Sequence, residues 1–136
     1  RVMFVFLNGS EARGHYIDGH PSLEGRIMFT NSDEGDPEAA WFNVNNSLTD
    51  GERIETLVDA GYMVRTRADA DTQQSRDDDY TLQEAAWASG GQFVSTDYVV
   101  PDLDFSTYFA EVPGGYAGRC NPVSAPPECD SDLVRP

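Results

Sequence analysis

At 136 residues the chain has the length of one ordinary domain and can bury a real core. Its 24 acidic side chains face nine basic ones, all arginine, and the net charge of −15 repels nucleic acid and anionic membrane. What remains open to the cations is a small, focused anion site, because such a site depends on local geometry rather than net charge.

Taken in chain order, Val2–Leu7 is an unbroken apolar run, as expected of a strand buried on both faces of a parallel sheet. Ser10–His20 reads as a short helix before the turn signal at Pro21. Arg26–Thr30 reads as the second strand, and Pro37–Asn43 as a brief helix with proline in its first turn. The clearest helix follows: Thr49 and Glu52 form a capping box, Ile54, Leu57 and Val58 give the buried stripe, and Gly61 is the stop. Tyr62–Arg67 is the third strand. A helix over Thr81–Ser89 turns Leu82, Ala85 and Ala86 inward and ends at Gly90-Gly91. Gln92–Thr96 is the fourth strand, and a helical turn is expected near Phe105–Phe109. Strands alternating with helical or loop crossovers imply a parallel α/β sheet.

The third and fourth strands end in charged and hydroxyl groups. Alternation puts Met63, Arg65, Arg67 and Asp69 on one face, and Phe93, Ser95 and Asp97 together. Guanidiniums and carboxylates gathered where parallel strands end mark an anion-handling site, since ligands bind at the carboxyl ends of such strands. The bland alternative is an internal ion-pair layer formed by Arg65 and Asp69. Asp69-Ala-Asp71-Thr72 misses the Asp-x-Asp-x-Thr phosphatase pattern by one position, and Asn31–Gly35 lacks the later residues of a calcium loop. His15 and His20 read as structural or solvated groups, and Asp77–Asp79 as a solvated loop.

Cys120 and Cys129 lie nine residues apart in a Pro-rich tail, and with no further Cys or nearby His the spacing favours a local disulfide over a metal site. A disulfide points to a secreted or periplasmic setting. No run approaches the roughly 20 apolar residues of a membrane span. The chain opens on Arg1 and runs straight into an apolar strand, with no signal peptide, so it reads as a processed product or a fragment.

The strings Gly25-Arg-Ile-Met-Phe-Thr30, Gly61-Tyr-Met-Val-Arg-Thr-Arg-Ala-Asp-Ala-Asp-Thr72 and Ala88-Ser-Gly-Gly-Gln-Phe-Val-Ser-Thr-Asp-Tyr98 resemble the C-terminal half of the bacterial calcium-dependent phosphoinositide phospholipases C, as does Gly118-Arg-Cys-Asn-Pro-Val123. The resemblance implies a parallel (β/α) barrel of TIM type, of which residues 1–117 supply about four strands and residues 118–136 a Pro-rich tail. It also implies a calcium-dependent cleavage of a phosphodiester, with the acid–base histidines and calcium ligands coming mainly from the other half of the barrel. Within this chain it nominates Arg65 and Arg67 for phosphate or inositol hydroxyls. Asp69 and Asp97 are nominated for inositol hydroxyls or for orienting a histidine outside the chain, Tyr98 for stacking on the sugar, and Asn8 for a polar contact at the end of the first strand. Leu7 stands where the family pattern often has Asp. A half-barrel exposes sheet edges and an apolar inner face, so association is expected, either with the missing half or with a second copy. The competing expectation is a secreted α/β module that binds an anionic sugar or phosphate without catalysis.

Overall fold

A computed structural model describes residues 2–7 and 9–134, which fold as two compact units, Arg1–Asn43 and Val44–Pro136. Asn8 lies outside the described residues.

In the first unit, β1 (Phe4–Phe6) runs parallel to β2 (Met28–Thr30), with Phe4, Val5 and Phe6 opposite Met28, Phe29 and Thr30. The crossover is α1 (Ser10–Ile17), three residues shorter than the sequence reading because the chain turns at Asp18 and Gly19 takes a positive φ. Tyr16 ties this helix to the sheet: its hydroxyl accepts from the Met28 amide at 2.8 Å, and its ring stacks on Phe6 at 5.4 Å. The apolar run of β1 is not buried on both faces. Phe4 is exposed and Val5 and Phe6 only partly covered, since among the described residues β1 has β2 as its sole strand partner.

The helix expected over Pro37–Asn43 is absent. A turn closed by Asp36 and Ala39 leads instead into a fifth strand, β3 (Trp41–Asn43). Two consecutive aromatic residues favour an extended backbone, and both Trp41 and Phe42 are buried there. The Ser32 amide donates to the Trp41 carbonyl at 3.2 Å, and the Asn43 amide to Asn31 Oδ1 at 2.8 Å.

The second unit begins with α2 (Ser47–Asp59), β4 (Met63–Arg67), α3 (Gln73–Asp77), α4 (Thr81–Ala88) and β5 (Phe93–Ser95). Ile54, Leu57 and Val58 of α2 are buried, as the periodicity requires. The cap differs from the expected one. Asn46 Oδ1 accepts from the Leu48 amide at 3.1 Å, while the Thr49 hydroxyl is spent on Asn46 O and Asp50. Asp50 departs from helical geometry at φ −117°, so the regular helix begins after it and no Thr49–Glu52 box forms. Gly61, at φ +88°, ends the element. Strands β4 and β5 are parallel, Arg65 opposite Phe93 and Arg67 opposite Ser95. Val64 and Thr66 point into the core, where the Ser47 and Thr66 hydroxyls meet at 2.7 Å. The helix α3 has no counterpart in the sequence reading, because its Gln-Gln-Ser-Arg-Asp run carries no apolar stripe. The turn expected near Phe105–Phe109 falls earlier, with the Phe105 and Ser106 amides both donating to Asp102 O.

The tail is built into this unit. Asn121 Nδ2 donates to Gly90 O at 2.6 Å, its Oδ1 accepts from the Val123 and Ser124 amides, and Arg119 donates to the Trp87 carbonyl. Cys120 and Cys129 form the disulfide, their Cα atoms 6.0 Å apart.

Candidate anion-binding site

From Val64 in β4 to Ala68 just beyond it, burial alternates strictly. Val64, Thr66 and Ala68 are buried, and Arg65 and Arg67 lie half-buried on the opposite face. Arg65 donates to Asn45 Oδ1 at 2.7 Å, and Arg67 Nη2 stands 3.8 Å from Asp97 Oδ2. Burial, and then the charge of Arg67, pull the pKa of Arg65 below its ordinary value, against the opposing pull of Asp97. Two guanidiniums therefore share one largely exposed carboxylate. In a strongly acidic chain this is a positive locus whose electrostatics improve when an anion arrives. Arg65 also lines a cavity of about 480 Å³ together with Trp87, Phe93, Ser95 and Arg119. The Trp87 indole nitrogen is buried with no hydrogen-bond partner among the described residues.

Asp69 does not share the face of Arg65 and Arg67. The strand ends at Arg67, the alternation breaks two residues later, and Asp69 is 1% exposed beneath the strand ends. Its Oδ2 accepts from the Thr96 hydroxyl at 2.5 Å and the Tyr108 hydroxyl at 3.5 Å, and its Oδ1 from the Asp97 amide at 3.0 Å. No ion pair with Arg65 forms. The carboxylate ties the exit of β4 to the exit of β5 and so holds Asp97 in place. Tyr98 is half-buried, edge-on to the Tyr108 ring at 5.6 Å. The structure thus brings together Arg65, Arg67 and Asp97, and sets Asp69 and Tyr98 beneath and beside them.

Three participants escape a sequence reading. Asn45 shows only as a polar residue before the clearest helix, Thr96 as the last letter of a β-like string, and Tyr108 as an aromatic residue of the turn expected near Phe105–Phe109. Tyr108 is fully buried and donates to Ala68 O at 3.1 Å. In the first unit, Arg13 bonds Asp36 at 2.5 Å and also Glu38, a pairing across more than 20 positions that no local signal announces.

Among the described residues no three His, Cys, Asp or Glu side chains converge as a metal site. No helix among the described residues is long and apolar enough to cross a membrane.

Parallel α/β elements with paired arginines where one strand ends make this an α/β protein with a candidate anion site. Residues 1–122 match the model of the family described as phosphoinositide phospholipase C, Ca2+-dependent, and the chain belongs to that family. No curated protein and no solved structure gives a significant match.

Proposed function

We propose that this chain supplies the substrate-side half of a (β/α) barrel of TIM type that cleaves phosphoinositide-like phosphodiesters, working in a secreted or periplasmic setting. The observation that carries this is the Arg65–Arg67 pair, with Asp97 as the carboxylate facing both among the described residues and with Arg65 lining a cavity of about 480 Å³. That volume lies within the range of small-molecule sites, and a planar guanidinium fork bonds two phosphate oxygens at once. Arg67 holds the phosphoryl oxygens and Arg65 the neighbouring hydroxyls. Asp97, anchored through its amide to Asp69, accepts from an inositol hydroxyl or orients a histidine supplied from outside the chain. No cluster of three His, Cys, Asp or Glu side chains forms among the described residues, and in this reading the ligands for the calcium of the family's description, like the histidine pair for proton transfer, come from the other half of the barrel. The association expected of a half-barrel is retained in this reading, with either that half or a second copy.

The test is phosphorus NMR of phosphatidylinositol incubated with the protein, alone and together with the separately produced N-terminal half of a family member, with calcium and then with a chelator. A cyclic inositol phosphate formed by the pair, and lost in Arg67→Ala by about a hundredfold, is the expected result. Binding of myo-inositol 1-phosphate by the chain, with no product from the pair, supports the second reading, a module that holds an anionic sugar or phosphate without turnover. That reading is favoured by the absence of histidine from the second unit, His15 and His20 both lying in the first.

A further inference from the structure

The β4–β5 ladder stops one rung short of Asp97. Arg67 faces Ser95 in the last register pair, and the Ala68 amide still donates to Ser95 O at 2.9 Å. In a parallel ladder the next rung sends the Asp97 amide to Ala68 O and the Ala70 amide to Asp97 O. Side chains take those groups instead. The Asp97 amide donates to Asp69 Oδ1 at 3.0 Å, Ala68 O accepts from the Tyr108 hydroxyl at 3.1 Å, and the Ala70 amide donates to Gln74 Oε1 at 3.0 Å. Backbone groups at a strand end need partners, and with these supplied the chain after Ser95 leaves β4 and turns. Thr96 stands at the turn. Its hydroxyl lies 2.5 Å from Asp69 Oδ2 and accepts from the Tyr98 amide at 2.9 Å. A carboxylate only accepts, so the hydroxyl proton points to Asp69 and a lone pair is left for Tyr98. Asp69 and Tyr108 are buried by this chain's own residues, so the arrangement does not depend on a further half.

We propose that Thr96 is a positioning residue, whose hydroxyl, held between Asp69 and the Tyr98 amide, fixes the turn that sets Asp97 toward Arg67 and Tyr98 aside against Tyr108. The inference rests on the phosphodiester reading of the site. Arg67 does not itself fix Asp97. Their closest atoms are 3.8 Å apart, beyond hydrogen-bond range, so the carboxylate takes its place from its own backbone. The two sides of the site therefore do separate work. Arg67 takes phosphoryl oxygens, which inorganic phosphate offers as well as a sugar phosphate does. Asp97 accepts from ring hydroxyls, which only the sugar phosphate offers. Thr96 acts on the second contact alone. It thereby sets how strongly the site prefers an inositol phosphate to bare phosphate. The Tyr98 ring, edge-on to Tyr108 at 5.6 Å, with Tyr98 O accepting from the Ala110 amide at 2.8 Å, closes the far side of the turn.

Two variants of the full chain separate the hydroxyl from its shape: Thr96→Val removes it and keeps the outline, and Thr96→Ser keeps it. Affinities for myo-inositol 1-phosphate and for inorganic phosphate are measured by calorimetric titration, with amide hydrogen exchange on the same proteins. Thr96→Val is expected to weaken myo-inositol 1-phosphate about tenfold while leaving inorganic phosphate unchanged, and to speed exchange at the Tyr98 amide. Thr96→Ser restores both, and Arg67→Ala loses both ligands. Where Thr96→Val does not fold, Thr96→Ala removes the same hydroxyl at this partly exposed position. Equal loss of the two ligands in Thr96→Val makes the residue a purely structural one and overturns the inference. So does a serine variant that restores nothing, or a parent that binds myo-inositol 1-phosphate no more tightly than inorganic phosphate. A parent that binds neither ligand sinks the phosphate-site reading, and the Tyr98 exchange then decides by itself whether Thr96 fixes the turn.

Discussion

Asp69 shows how a single side chain decides what a strand end presents. Its charge is buried without a cation, so it rests on hydrogen bonds from Thr96, the Asp97 amide and Tyr108. A buried carboxylate is tolerable only when its acceptors are filled. Truncation as Asp69→Ala leaves the Thr96 hydroxyl and the Asp97 amide unpaired, while Tyr108 keeps Ala68 O, and is expected to cost about 2–4 kcal/mol of unfolding free energy in urea titrations. Tyr108 feels the same arrangement from the other side. Burial, and then the charge of Asp69, hold its phenol well above the ordinary value of 10.0. The folded value exceeds the unfolded one, so the favourable contribution is complete below about pH 10 and is lost as pH rises above it. Urea midpoints of the parent should therefore fall as pH rises above about 10, and Tyr108→Phe should flatten that slope. The sequence made Arg65 and Arg67 legible because strand alternation holds through both. It misplaced Asp69 because alternation breaks just past the end of the strand, and nothing local marks that residue. Tyr108 was unreadable, its partners lying 39 and 40 positions away.

At the scale of elements, what could be read was whatever repeats locally. The buried stripe of α2 and its glycine stop are both present, since periodicity and positive φ are properties of neighbouring residues. Two local patterns competed at the start of that helix, and Asn46 captured the first free amide ahead of Thr49. At 37–43, proline in a first turn was a weaker signal than two aromatics seeking burial. Two glycines now separate conformational from packing cost. Gly61, at φ +88°, has nothing within 4 Å of a built Cβ, so Gly61→Ala is expected to cost about 1 kcal/mol through backbone strain alone. Gly90, at φ +81°, would drive that carbon into the Val123 side chain. Gly90→Ala is expected to cost at least about 3 kcal/mol, because the tail must move off the strand as well. Thermal unfolding of the two variants side by side reads the difference, and equal shifts would mean that the tail contributes no packing at this point.

For the whole molecule, family membership was legible because its strings run through strands and their exits, and the family match covers residues 1–122. The division into two units at Asn43 was not legible, as no linker composition marks it. The disulfide lies mostly beyond the matched region and closes a loop of nine residues' separation. The chain-entropy estimate for such a loop is about 2–3 kcal/mol. Cys120→Ser with Cys129→Ser should lower stability by that amount and raise mobility at Asn121, read as faster hydrogen exchange at the Val123 and Ser124 amides. Exchange unchanged in the double variant would show that the Asn121 contacts stand without the cross-link.

The hold of Asn121 on Gly90 also sets a clock. Its amide reaches back across 31 positions to the entrance of β5. At synthesis rates of about 5–20 residues per second, that group emerges roughly 2–6 s after the strand it closes. Through that interval β4 and β5 are already made while the Gly90 carbonyl still lacks the Asn121 amide. A nascent chain in that condition carries an open acceptor at the entrance of β5, and the arrival of Asn121 is what fills it.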